Sequence, residues 1–161
     1  MLTAVIVARS QSGVFELTEL ATLPLTVVGW AFQEWVMHKY LLHSKFEWFG
    51  RDIHEQHHAL PYMHVCIDPP SLVAAWTAVA GSIIFMSLPQ PQALTCLASY
   101  MGMGLMYEWV HFLVHTRVQP RTAIGRAWKR HHTLHHLKDD RFWLAFIFPW
   151  VDNLMGTVPE S

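Results

Sequence analysis

Three stretches of the chain are dominated by hydrophobic residues. The longest stretch without a charged residue covers 69–107, and the sequence Pro89-Gln90-Pro91 interrupts it. Because proline cannot continue a helix interior, this pattern predicts two apolar helices, over 71–88 and 92–114, joined by a tight turn. A helix of eighteen residues extends roughly 27 Å at about 1.5 Å per residue, which is close to the hydrocarbon thickness of a bilayer.

A third apolar segment covers 17–42 and is uncharged over 20–33. Glu34 and Lys39 lie toward its end, where the helix is expected to leave the membrane. The pattern therefore predicts an all-α integral membrane protein with about three transmembrane helices, in a single domain over 1–161. A buried helical hairpin in a soluble protein is the alternative, but the rest of so short a chain has little mass to cover it.

The composition agrees with a membrane location. Charged residues make up 14% of the 161 residues and hydrophobic ones 52%, whereas soluble chains carry about 25% charged residues. The 11 basic and 12 acidic residues give a net charge of −1, which argues against a nucleic-acid partner. Cys66 and Cys96 form neither a disulfide framework nor a CxxC metal site.

The basic residues predict the orientation in the membrane. Most of them follow the first and third predicted spans, and this bias places both regions in the cytoplasm. The amino terminus lacks the basic start and long apolar run of a signal peptide. We therefore expect a multi-pass protein with cytoplasmic helices over 43–68 and 115–161. The aromatic segment 142–150 is too short to span a bilayer and suits an interfacial anchor or a lid.

Histidine is unusually frequent, with 12 of the 161 residues. Most histidines fall into four groups: His38-x4-His43, His54-x2-His57-His58, His111-x3-His115 and His132-x2-His135-His136. Residues three and four apart share one face of a helix, so three of the four groups present their imidazoles in one direction. His131 lies at the edge of such a face, and no helical spacing ties His64, beyond Pro61, to a group.

The number of grouped imidazoles indicates a dinuclear metal site on the cytoplasmic side. A single HxxH is usually a satisfied polar pair, but ten positioned imidazoles suit two metals with about five ligands each. A structural zinc site is closed by four ligands, usually including thiolates, and haem needs one or two histidines. A transporter would place its ligands at membrane depth. Two irons with open coordination positions suit dioxygen chemistry, which favours an oxygenase.

Three sequence motifs carry a resemblance to a known family. They are YEWVHFLVHT at 107–116, RHHTLHH at 130–136 and WVDNLMGT at 150–157. With the histidine spacing, they resemble the fatty acid hydroxylase superfamily, which includes sterol desaturases and carotenoid hydroxylases. The resemblance covers 34–157. The HxxxH spacing at His111 is nearer to that of the lipid hydroxylases than to that of the carotenoid hydroxylases. Two features depart from the family pattern: the chain is short, and it has no fused cytochrome b5 domain.

The resemblance implies a membrane-bound non-haem di-iron monooxygenase that uses O2 and two external electrons. It implies two iron ions, with zinc as a substitute in purified protein, and a fatty acyl or similar lipid substrate taken from the bilayer. The implied metal ligands are His38, His43, His54, His57, His58, His111, His115, His132, His135 and His136.

Other functions and partners stay open at this point. A carotenoid ring hydroxylase or a lipid or sterol desaturase is the alternative within the superfamily. A non-redox membrane metal-binding or transport protein is the alternative from another class. A ferredoxin-like or cytochrome-like donor, with its reductase, would supply electrons and dock near the basic residues over 117–130. A homo-oligomer is one of the states that the sequence allows.

Four further residues are candidates for orienting the metal ligands. Glu34 precedes His38 by one helical turn, and Glu108 precedes His111 by three residues. A carboxylate at such a position can accept the other N–H of a ligating imidazole. His131 is expected to tune the ligands from the edge of its helix face, and Asp152 is expected to cap a turn or orient the C-terminal segment.

Overall fold

The computed structural model describes residues 1–61 and 68–159, and all regular structure in these residues is helical. His64 and Cys66 lie outside the described residues. The elements are α1 (Leu2–Gln11), α2 (Leu17–Met37), a π-helix (His38–Leu42), α3 (Phe49–Ala59), α4 (Pro70–Ser87), α5 (Gln90–His115), α6 (Ala123–Leu137) and α7 (Pro149–Leu154). The all-α prediction is confirmed for this part of the chain.

One helix in the described ranges, α4, is long and apolar enough to cross a membrane, judged by length and hydropathy. Only 11% of its window is buried within the protein. α2 and α5 do not meet the same criterion, because glutamate, glutamine and threonine side chains interrupt their apolar sequences. The spans predicted over 17–42 and 92–114, and the three-span count, therefore stay predictions.

The break between α4 and α5 lies close to its predicted place. α4 begins and ends one residue earlier than expected, and Leu88 has an extended backbone (φ −128°, ψ 147°). α5 begins at Gln90, two residues earlier than expected, so Pro91 lies in its first turn. Proline is tolerated there because the first N–H groups of a helix have no intrahelical acceptor.

The chain divides into two compact units, and the prediction of one domain stays a prediction. The first unit comprises Met1–Trp30 and Asp68–Met106. The Arg9 guanidinium, on α1, is paired in its interior with the Glu19 carboxylate on α2, which also accepts a hydrogen bond from Thr95 on α5. The three side chains are buried, and their mutual hydrogen bonds offset the cost of removing the charges from water. Their network ties three helices together.

The second unit comprises Ala31–Ile67 and Tyr107–Ser161, of which 31–61 and 107–159 are described. Its core contains Ala31, Trp35, Leu144, Ala145 and Val151. Trp143–Ile147 has no regular structure and is buried. This part of the aromatic segment therefore packs inside the unit, because its apolar side chains fill the core, and it is not an exposed interfacial anchor.

Candidate metal centre

All ten grouped histidines lie in the second unit, where they form two separate clusters. The first cluster contains His38, His43, His54, His58 and His135, and the second contains His57, His111, His115, His132 and His136. Each residue offers one ring nitrogen, and within each cluster these nitrogens lie within 4.8 Å of one another.

Each HxxHH motif contributes to both clusters. On α3, His54 and His58 belong to the first cluster and His57 to the second. The helical period explains the split, because the third and fourth residues after a reference residue point about 100° apart. The pair that is four residues apart is separated by only about 40° and shares a cluster, whereas the third histidine lies about 60° away on the other side of the first and faces the other cluster.

On α6 the same motif is used in the opposite sense. His132 and His136 belong to the second cluster and His135 to the first. The sequence predicted that each motif would present all three imidazoles to one place. In the structure each motif contributes to both clusters. The α3 motif gives two imidazoles to the first cluster and one to the second, and the α6 motif gives one to the first and two to the second. Each cluster therefore contains three of these six imidazoles.

The π-helix aligns the pair that regular helical spacing does not align. Residues five apart on an α-helix point about 140° apart. The His43 N–H donates to the His38 carbonyl at 3.1 Å, a bond five residues long that widens the turn. The two rings lie 5.0 Å apart, with their planes inclined by 28°. A local change of helix type thus brings both imidazoles to one cluster, as π-bulges at functional sites often do.

The remaining pair lies in the last turn of α5. His111 and His115 are four residues apart on a regular helix, and their ring centroids are separated by 5.0 Å. The buried Phe146 ring packs beside this pair, 5.6 Å from the His111 ring and 4.6 Å from the His132 ring. Phe146 therefore forms an apolar wall of the second cluster.

The ring nitrogens in the first cluster lie at distances that suit a bound cation. His43 Nε2 is 3.0 Å from His54 Nε2 and 3.2 Å from His135 Nε2. His135 Nε2 is also 3.1 Å from His58 Nε2. Two nitrogens that are each about 2.1 Å from one metal and at right angles lie about 3.0 Å apart. The donor set and the spacing fit a divalent transition metal.

The second cluster shows the same spacing. His132 Nε2 lies 2.8 Å from His115 Nε2 and 3.0 Å from His136 Nε2. His111 Nε2 lies 3.1 Å from His57 Nε2. The two clusters are therefore equivalent in ligand number, ligand type and nitrogen spacing.

Backbone carbonyls fix the tautomers of two first-cluster imidazoles. His38 Nδ1 lies 2.6 Å from the Leu144 carbonyl oxygen, and His135 Nδ1 lies 2.8 Å from the Phe142 carbonyl oxygen. A carbonyl only accepts, so both Nδ1 atoms carry the hydrogen and both Nε2 atoms are free to bind metal. His38 Nε2 is buried and has no hydrogen-bond partner within 1–61 and 68–159, as expected of a metal ligand.

Burial keeps the imidazoles neutral. Desolvation, with nearby histidines, lowers the pKa of His58 to about 3. Desolvation also lowers the pKa of His115 to about 4 and that of His132 well below its usual value. Neutral imidazole is the form that binds metal, so these side chains need not lose a proton to bind a cation at neutral pH.

Among the expected orienting residues, Glu34 makes a different contact from the one expected. His38 donates to the Leu144 carbonyl rather than to Glu34, and Glu34 Oε1 accepts the Ile147 N–H at 3.1 Å. The physical reason is that 142–147 packs against α2 and supplies a backbone acceptor to His38. Glu108 is half-buried on α5, and its orienting role stays a prediction.

His131 and Asp152 are partners of each other. His131 lies outside both clusters and donates from Nε2 to Asp152 Oδ2 at 2.7 Å. Asp152 is fully buried on α7. The sequence reasoning did not identify the Phe142 and Leu144 carbonyls, because every residue has the same backbone acceptor and nothing in the sequence marks the one that is used.

A family model and a solved structure both match this chain. The fatty acid hydroxylase family model matches residues 23–157. The chain belongs to this family, which confirms the resemblance seen in its motifs. A solved structure of full-length scs7p, in which only the hydroxylase domain is visible, has a similar fold with a TM-score of 0.80 and 18% identity. The alignment covers 99% of this chain and 62% of that chain. Comparison with curated proteins gave no match.

Proposed function

We propose that this protein is a membrane-bound non-haem di-iron monooxygenase that hydroxylates an unactivated C–H bond of a lipid, a fatty acyl chain or similar. The observation that carries the proposal is the pair of five-imidazole clusters in a chain of the fatty acid hydroxylase family. Two irons, one held by each cluster, would supply the activation of O2 when bound. Two electrons per turnover would come from an external donor.

The protein's own residues would provide ligands, orientation and exclusion of water. The ten imidazoles leave coordination positions open when they are divided between two metals. The Phe146 ring shields the second cluster on the side where it contacts His111 and His132. Imidazole binds zinc as well as iron, so zinc in purified protein would be a substitute rather than evidence against iron.

The lipid substrate is proposed to enter from the bilayer. The α4 helix exposes large apolar side chains, among them Val79, Ile83 and Met86, which suits contact with acyl chains. Together with the basic residues near the histidines, this supports a multi-pass protein with its metal centre on the cytoplasmic side.

The electron donor is proposed to dock on a basic surface between α5 and α6. Arg117, Arg121, Arg126 and Arg130 are exposed there. A ferredoxin-like or cytochrome-like carrier with an acidic face would be attracted to this surface, and complementary charge would speed its association.

Lipid analysis of expressing cells tests the proposal. Cells that carry the protein should contain a lipid heavier by one oxygen atom, and growth under ¹⁸O2 should place the heavy isotope in it. The His132→Ala variant should lack this product, whereas Asn153→Ala, an exposed change on α7, should retain it. A new double bond without added oxygen would indicate a desaturase. Iron-loaded, reduced protein that neither consumes O2 nor alters any lipid would overturn the enzyme proposal in favour of a metal-binding protein.

A further inference from the structure

A short backbone segment, 142–147, holds two rings of the first cluster. We call this segment the strap. Its Phe142 and Leu144 carbonyls accept the Nδ1 hydrogens of His135 and His38. Because these bonds set the tautomer and the plane of two ligands, the position of the strap determines where two nitrogens of the first cluster point.

The strap is fixed in turn by the buried carboxylate of Asp152. Its Oδ1 accepts the Leu144 N–H at 2.9 Å, and its Oδ2 accepts the Ala145 N–H at 2.8 Å. The Thr157 hydroxyl and His131 complete the set, at 2.6 Å and 2.7 Å. The Leu144 peptide units are therefore held from both sides, since the N–H is bound by Asp152 and the carbonyl is bound by His38.

The strap has a conformation that depends on these contacts. Trp143 has a φ of 56°, in the left-handed region that a non-glycine residue rarely adopts. Its N–H donates to the Thr157 carbonyl at 3.0 Å, and the Thr157 hydroxyl accepts from Trp35 at 2.8 Å. Such a residue persists only where its surroundings hold it in place. Asp152 and Thr157 therefore form the frame that maintains the strap.

The second cluster has a different environment. The Nδ1 atoms of His132 and His136 are buried and have no hydrogen-bond partner among the described residues. The strap reaches this cluster through the Phe146 ring, which contacts His111 and His132 without a hydrogen bond. His115 of this cluster is bound instead to the Pro61 carbonyl, outside the strap. The two clusters thus match in donor set, and the strap carbonyls orient His38 and His135 of the first.

We propose that Asp152 is a positioning residue for the first cluster and that the strap makes this cluster the tighter of the two metal positions. Asp152 acts through Leu144 on His38 and, through the conformation of the strap, on His135. The inference rests on the proposed function in that both clusters bind metal. It goes further by assigning different affinities to the two positions and a role to the C-terminal VDNLMGT motif.

Cobalt(II) binding to the metal-free full-length protein, followed by its visible absorption, tests each cluster separately. A His136→Ala variant keeps the first cluster intact, and a His43→Ala variant keeps the second intact. We expect His136→Ala to bind cobalt more tightly than His43→Ala. Adding Asp152→Asn should weaken binding about 10- to 100-fold in the His136→Ala background. It should leave the affinity in the His43→Ala background nearly unchanged.

Equal weakening in both backgrounds would show that Asp152 only supports the fold, and no weakening in either would show that the strap does not position ligands. Each result overturns the inference. Thr157→Val keeps the shape of the side chain but removes one donor to Asp152 and the acceptor of the Trp35 Nε1 hydrogen bond, and it should cause a smaller loss confined to the first cluster. This milder variant decides the matter if Asp152→Asn does not fold, while Asn153→Ala is the matched control on α7. Wild-type protein that binds no cobalt would instead overturn the proposed function.

Discussion

His38 and His43 are five residues apart in the sequence, yet their ring centroids are 5.0 Å apart and both residues belong to the first cluster. The widened turn between them is the reason, because the His43 N–H reaches back five residues to the His38 carbonyl. π-Helical turns are rare in proteins and frequently occur at functional sites. Here such a turn places an additional imidazole next to those supplied by α3 and α6.

The division into clusters predicts the metal content of single-ligand variants. His43→Ala should lower the iron content of protein from iron-replete cells from about two per chain to about one, because five ligands serve each metal. His136→Ala should do the same by emptying the other cluster, and the double variant should bind about none. Elemental analysis of folded protein measures this. Loss of both metals from either single variant would contradict the prediction that the two clusters bind metal independently.

The position of His131 predicts a contrast between two neighbouring residues. His132→Ala should lose metal from the second cluster and abolish activity, because His132 Nε2 lies among the ligand nitrogens. His131→Ala should retain most of its metal, because it removes one of several hydrogen bonds to Asp152. Iron per folded protein is the measurement. An empty site in His131→Ala with a full site in His132→Ala would show that the ligand register is shifted by one residue.

We predict that the stability of the protein is sensitive to substitution at Gly50, in the first turn of α3 and four residues before His54. A Cβ there would lie 2.2 Å from the Trp48 ring, whose Nε1 donates to the Leu41 carbonyl at 2.9 Å. We expect Gly50→Ala to lower the free energy of unfolding by about 1–3 kcal/mol through overpacking.

Gly102→Ala is the matched control, because nothing lies within 4 Å of the added Cβ. Alanine is favoured over glycine inside a helix by about 0.5–1 kcal/mol, so this variant should be neutral or more stable. Thermal unfolding in detergent compares the two. Equal melting temperatures would mean that Trp48 moves away without cost.

The predicted membrane topology has a direct test with single cysteines. In a background with Cys66→Ala and Cys96→Ala, an impermeant maleimide should label Gln90→Cys from outside intact cells. Lys45→Cys should be labelled only after permeabilisation, because it follows the first predicted span on the cytoplasmic side. Both positions are exposed in the structure. Labelling of both from outside would exclude the predicted arrangement of spans.

Much of the fold follows from local patterns that the sequence contains. The uncharged run and its proline break predict α4 and α5 to within two residues, since helix boundaries depend on nearby backbone groups. The histidine spacing predicts that the grouped residues lie on helices, but the prediction that each HxxHH motif presents its three imidazoles in one direction was wrong, because residues three and four after the first point about 100° apart. The motifs also identify the family to which the chain belongs.

The sequence alone determined α4 and α5 to within two residues, the histidine groups and the family. Tertiary packing decided that His54 and His58 join His135 while His57 joins His132, because the period of a helix fixes the angle between side chains but not the partners they meet. It also decided that His38 donates to the Leu144 carbonyl instead of to Glu34. A backbone acceptor is the same in every residue, so only the folded path of the chain selects the one that orients a ligand.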